Sequence, residues 1–131
     1  MPRSFLAALI LMSSWSCVGA DSPTQPRFVS PAGLTVANGR LFFSASRPGA
    51  GYELWVADGT REGTREVKDI RSGFRGSYPA NLTSFQGRVY FAADDGASGI
   101  ELWATDGTTA GTALVADLNP GPVASLPNAL L

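Results

Sequence analysis

The stretch Glu53-Leu54-Trp55-Val56-Ala57-Asp58-Gly59-Thr60 returns 48 positions later as Glu101-Leu102-Trp103-Ala104-Thr105-Asp106-Gly107-Thr108. The register holds without a gap between residues 31–78 and 79–126. Identical pairs include Leu34/Leu82, Gly39/Gly87, Arg40/Arg88, Phe43/Phe91, Gly63/Gly111, Val67/Val115 and Asp69/Asp117. A period between roughly 20 and 50 residues marks a repeat architecture, in which each unit buries its faces against its neighbours. The chain must therefore fold as copies of one small unit.

Each unit divides into four short strands. They are expected at 33–37, 40–45, 52–57 and 65–70 in the first unit. In the second they are expected at 81–85, 88–93, 100–105 and 113–118. Asn38-Gly39 between the first two strands is the favoured pair of a two-residue hairpin turn, and Gln86-Gly87 is a weaker version of it. A Gly-rich loop precedes the third strand, and Asp-Gly-Thr-x-x-Gly-Thr follows it. No segment between the glycines keeps a helical apolar period, so helix is not expected. The strand centres Leu41-Phe42-Phe43, Val89-Tyr90-Phe91, Leu54-Trp55-Val56 and Leu102-Trp103-Ala104 are apolar on successive residues. A sheet wet on one face would alternate, so both faces expect cover. Radially stacked blades supply such cover. The expected fold is all-β, with four-stranded antiparallel blade-like repeats of 48 residues, a β-propeller-like fragment of two full units.

After residue 126, Pro127-Asn128-Ala129-Leu130-Leu131 restarts the unit pattern, the truncated start of a third repeat. A closed propeller has about four to eight blades. The expectation is a fragmentary member of a larger array, or one that completes a ring by self-association, with apolar outer faces prone to aggregation.

The N-terminus reads separately. Arg3, an apolar run from Phe5 to Met12 and the small residues that follow give residues 1–20 the layout of a secretory signal peptide. Two cleavage readings stand. Val18-Gly19-Ala20 before Asp21 suits a general signal peptidase. Cys17 lies where a bacterial lipoprotein carries its lipid, with Ser16 before it, and a lipid there would be the one attachment to a membrane. Residues 21–30, with Pro23 and Pro26, are expected as a linker. The place is extracytoplasmic on either reading: secreted, periplasmic or at the cell surface.

Composition narrows the function classes. Lys and Arg total 10 against 11 Asp and Glu, with no basic stripe, so nucleic acid is not an expected partner. Histidine is absent, which removes the commonest general base and metal ligand. Cys17 is the single cysteine, so no intrachain disulfide forms.

At Glu-Leu-Trp-x-x-Asp-Gly-Thr-x-x-Gly-Thr-x-x-Val-x-Asp the sequence resembles the ELWxDGT-repeat proteins, exported bacterial proteins prominent in myxobacteria. The resemblance covers about residues 31–131. It implies a propeller-like β-repeat architecture outside the cytoplasm, and no catalytic activity that can be carried over. The first unit departs at Ser46-Arg47-Pro48-Gly49, where the second has Asp94-Asp95-Gly96.

The candidate site residues read mainly as structure. Asp58 and Asp106 are expected to bond nearby backbone N–H groups in turns where Gly59 and Gly107 supply positive φ. These turns look similar to the Asp-box turns of sialidase-type propellers. Thr60 and Thr108 belong to the same turns. Glu53 and Glu101 are expected to meet Arg40 and Arg88 or backbone donors rather than act as an acid–base pair, because copies on adjacent units have no reason to flank one bond. Asp94, Asp95 and Glu101, beside Gly96 and Gly99, are the candidate calcium ligands. No other cofactor is expected. Trp55 and Trp103 could stack on sugars, but their apolar neighbours Leu54 and Leu102 favour a core position. Asn81-Leu82-Thr83 matches a glycosylation sequon by chance in a chain with a bacterial-type signal. The expected function is a non-enzymatic exported module that binds or scaffolds an unknown protein or glycan. The alternative is an accessory domain of a propeller-type hydrolase or glycan-binding protein.

Overall fold

The computed structural model describes residues 29–118 and 120–122. The expected signal at 1–20 with Cys17, most of the expected linker and the expected partial unit at 127–131 lie outside the described residues. No helix among those described is long and apolar enough to cross a membrane.

Among the described residues, eight strands form two four-stranded antiparallel sheets. The first sheet holds β1 (Val29–Ala37), β2 (Arg40–Ser46), β3 (Tyr52–Ala57) and β4 (Arg65–Lys68), in chain order. The second holds β5 (Ala80–Phe85), β6 (Arg88–Asp94), β7 (Ile100–Thr105) and β8 (Ala113–Ala116), also in chain order. Register repeats with the sequence: Phe43 faces Trp55 across β2–β3, and Phe91 faces Trp103 across β6–β7. Both hairpin turns have two consecutive residues at positive φ, Asn38 (49°) with Gly39 (71°) and Gln86 (48°) with Gly87 (75°). That is the conformation whose twist matches the flanking strands.

Three boundaries differ from expectation by two residues or more. β1 begins at Val29, inside the expected linker, because its backbone pairs Val29 with Ser46 through two register irregularities. β4 and β8 stop two residues early, at Lys68 and Ala116. The N–H groups of Ile70 and Leu118 turn instead to the carboxylates of Glu53 (3.2 Å) and Glu101 (3.2 Å).

β2 and β3 are buried on both faces, so Phe42 (2 % exposed) and Phe43 (0 %) are covered in succession. Ala37, Phe42, Leu54, Val56 and Val67 join Val89, Phe91, Ala93 and Trp103 in one core between the sheets. Leu41, Phe43, Ala45, Trp55 and Ala57 form a second cluster on the opposite face. The two sheets thus meet through non-equivalent faces. The first sheet uses Phe42 and Leu54, whose counterparts in the second are Tyr90 and Leu102. The second uses Phe91 and Trp103, whose counterparts in the first are Phe43 and Trp55. Backbone contact between the sheets is concentrated at β1 and β5. Polar bonds frame the core: Thr35 Oγ1 donates to Leu82 O (3.1 Å), Arg65 Nη2 to Gly107 O (2.6 Å), Lys68 Nζ to Thr112 O (3.0 Å) and Thr109 Oγ1 to Val67 O (2.7 Å).

Candidate functional site

The Asp-Gly-Thr turns are built alike in both units. Asp58 Oδ1 accepts the Thr60 N–H (2.9 Å) and hydroxyl (2.7 Å), and Thr60 Oγ1 accepts the Gly63 N–H (2.9 Å). Asp106 Oδ1 likewise accepts from Thr108 N (2.8 Å) and Oγ1 (2.6 Å), and Thr108 Oγ1 accepts the Gly111 N–H (2.9 Å). The threonine hydroxyl and N–H hold both carboxyls below the ordinary carboxylate range. These aspartates are exposed but engaged within their own turns.

The second glycine of each turn has a steric reason. A Cβ on Gly63 would fall inside the Asp58 carboxylate, and one on Gly111 inside that of Asp106. Gly63→Ala is therefore expected to swing Asp58 away and forfeit its hydrogen bonds, at a cost of about 1–2 kcal/mol. A urea melt would check this, and an Ala variant as stable as the wild type would show the turn bonds to be dispensable.

The two glutamates are buried, at 2 % exposure for Glu53 and 0 % for Glu101. Glu53 meets backbone donors. Its Oε1 accepts from Arg71 N (3.1 Å) and Ser77 N (2.9 Å), and its Oε2 accepts from Ile70 N (3.2 Å) and Ser77 Oγ (2.5 Å). It thereby clips the connection between the two sheets onto the start of β3. Burial pushes its pKa up, and the hydrogen bonds only partly offset that push. Glu101 takes the equivalent bond from Leu118. Arg40 lies elsewhere, beside the Gly107 turn.

The calcium candidates carry protein donors. Asp94 Oδ1 accepts the Gly96 N–H (2.6 Å), and its other oxygen pairs with Arg71 across the sheet boundary. Asp95 Oδ1 accepts from Ala97 N (2.8 Å) and Ser98 N (2.7 Å). Burial pushes the Asp95 pKa up, and the Ser98 and Ala97 bonds together more than offset it. Glu101 is in the core, on the inner face of β7. Among the described residues no three His, Cys, Asp or Glu side chains gather as a cation site.

Trp55 (5 % exposed) and Trp103 (8 %) are both core residues, so neither indole face is open to a sugar. The Lys68 ammonium stands 6.0 Å from the Trp103 ring centre.

Two features escaped the sequence reading. Phe85, Val115 and Leu118 are 58 %, 49 % and 63 % exposed on the second sheet and its flank. Their counterparts in the first unit, Ala37, Val67 and Ile70, belong to or pack on the core between the sheets. The other feature is aromatic. Phe74 is 85 % exposed and Tyr78 60 %, and the Tyr78 ring stacks on Tyr52 with centroids 5.6 Å apart. The signal for these was their difference between units: the second has Ile100, Pro122 and Leu126 at the matching positions.

No family model, curated protein or solved structure matches this chain.

Proposed function

We infer that the chain is a non-enzymatic, exported repeat module for binding or scaffolding, whose sheets stack as the blades of a β-propeller. The observation that carries this reading is the meeting of non-equivalent faces. Head-to-tail stacking of one face type on the other leaves each unit with a face for the next. Such interfaces close into rings when the rotation permits and otherwise run on. The resemblance to the ELWxDGT-repeat proteins supports the same reading, as does the exposure of Phe85, Val115 and Leu118 where the next unit would sit. The non-enzymatic side rests on the repeated carboxylates: Glu53 and Glu101 are turned into the fold, and Asp58 and Asp106 serve their own turns. Export rests on the signal-like residues 1–20.

Extending the chain in register by one further 48-residue unit tests the stacking. The added unit should cover the open face, with burial of each large apolar side chain stabilising by roughly 1.5–3 kcal/mol. The thermal midpoint should rise, and hydrogen exchange in β7 and β8 should slow. An extension that leaves both unchanged would overturn the blade reading.

A further inference from the structure

The loop after β4 carries side chains that the fold does not use. Phe74 is the most exposed large apolar residue described, at 85 %. Tyr78 is 60 % exposed although its backbone sits at φ 49°. That left-handed conformation is unfavourable for a bulky residue and easy for Gly or Asn. A strained position occupied by an exposed ring points to a use for the ring.

The loop is also held firmly. Gly51 N–H donates to Gly73 O (2.8 Å), and Tyr52 bridges Gly76 in parallel. The N–H groups of Ser77 (2.9 Å) and Tyr78 (3.1 Å) both reach Tyr52 O, and Ser77 is locked to buried Glu53. Gly51 and Gly76 pass so closely that neither has room for a Cβ. Tyr52 supports one side of the Tyr78 ring at an interplanar angle of 26°. Arg75, between the rings in the chain, is exposed, and its guanidinium makes no hydrogen bond or ion pair among the described residues.

The second unit keeps Gly51, Glu53, Gly73 and Ser77 as Gly99, Glu101, Gly121 and Ser125, but has Ala124 where the first has Gly76. It replaces Tyr52, Phe74, Arg75 and Tyr78 by Ile100, Pro122, Val123 and Leu126. The rings and the guanidinium are therefore particular to the first unit. Recognition residues characteristically occupy loops held by a rigid scaffold.

We propose that Tyr78, supported by Tyr52, together with Phe74 and Arg75, forms a binding platform for a carboxylated saccharide. A pyranose ring presents a flat C–H face that packs on an aromatic ring and leaves its hydroxyls in water. A uronic carboxylate matches the guanidinium fork of Arg75, a charge-assisted and bidentate pairing. The residues beside the rings, Ser72, Gly73 and Arg75, are polar or lack a side chain. One short loop offers far less than the roughly 800 Å² per partner that a stable protein interface buries. The proposal names a ligand class for the binding reading above and rests on it.

Affinity electrophoresis of the full chain through gels containing polygalacturonate, neutral dextran or polyglutamate tests the platform. Polygalacturonate should retard the chain more than either control. Phe74→Ala with Tyr78→Asn should weaken that retardation at least tenfold, and Arg75→Ala should reduce the preference for polygalacturonate over dextran. Circular dichroism melts should stay unchanged, since Phe74 and Arg75 are exposed and Asn tolerates the Tyr78 backbone. Three results would each overturn the proposal: no retardation by polygalacturonate, retardation that survives loss of both rings, or equal retardation by polyglutamate. Failure here leaves the blade-stacking result of the extended chain untouched, so the two readings fail separately.

Discussion

Replacing Glu53 by alanine is expected to destabilise the chain by on the order of 4 kcal/mol. The substitution strips an acceptor from three backbone N–H groups, at Ile70, Arg71 and Ser77, and from the Ser77 hydroxyl. Water reaches Glu53 poorly, at 2 % exposure, so the Ile70 and Arg71 N–H groups and the Ser77 hydroxyl would lose their acceptor, while the Ser77 N–H keeps Tyr52 O. A loss of that size is a large share of the roughly 5–15 kcal/mol that holds a typical domain folded. Urea denaturation followed by tryptophan fluorescence measures it, and a loss under about 1 kcal/mol would mean that the clip is not a main support.

Glu53→Gln separates charge from shape. The folded-state pKa of Glu53 is raised, chiefly by burial, so the folded chain holds that proton more tightly than the unfolded chain. Its contribution is complete below the ordinary value of 4.5 and is lost as pH rises through the raised value. The Gln side chain does not titrate. Stability of the wild type relative to Glu53→Gln should therefore fall as pH rises from 4.5 towards neutrality. Asp58 and Asp106 act in the opposite sense, losing their contribution as pH falls below 3.8, and they are unchanged between the two proteins. A relative stability that rises over the same window would show that the hydrogen bonds outweigh desolvation.

Phe91→Ala is the second large effect, expected at about 3–5 kcal/mol. Phe91 is fully buried in the core shared by the sheets, facing Trp103 across β6–β7. Its loss should lower a single unfolding transition for both sheets, because neither closes that core alone. Tyr90, its half-buried neighbour on the other face, is the control. Tyr90→Ala should cost less than half as much in the same measurement. Equal losses at both positions would contradict stacking through the Phe91 face.

Much of the local structure was legible because its causes are local. Asn38-Gly39 and Gln86-Gly87 adopt the left-handed turn conformations that two-residue hairpins need. Asp58 and Asp106 bond the residue two positions on, so Asp-Gly-Thr carries its own geometry. The apolar runs in β2 and β3 predicted cover on both faces, and Phe42 and Phe43 have it. The early ends of β4 and β8 were not legible. They depend on carboxylates 17 positions away competing for the Ile70 and Leu118 N–H groups. For Glu53, residue type alone left Arg40 and backbone donors equally open as partners.

The sequence by itself determined the repeat, the number of strands in each unit and their turns. Those properties follow from the spacing of turn residues between short apolar runs and from hydrogen bonds that close within a few residues. Only the tertiary structure decided which face of one sheet meets which face of the next. It also sent Trp55 and Trp103 into cores while leaving Phe74, Tyr78 and Phe85 at the surface. An aromatic ring is equally suited to a core and to a ligand, and its surroundings come from chain segments tens of residues away. Burial is a property of that assembly, and no single stretch of sequence carries it.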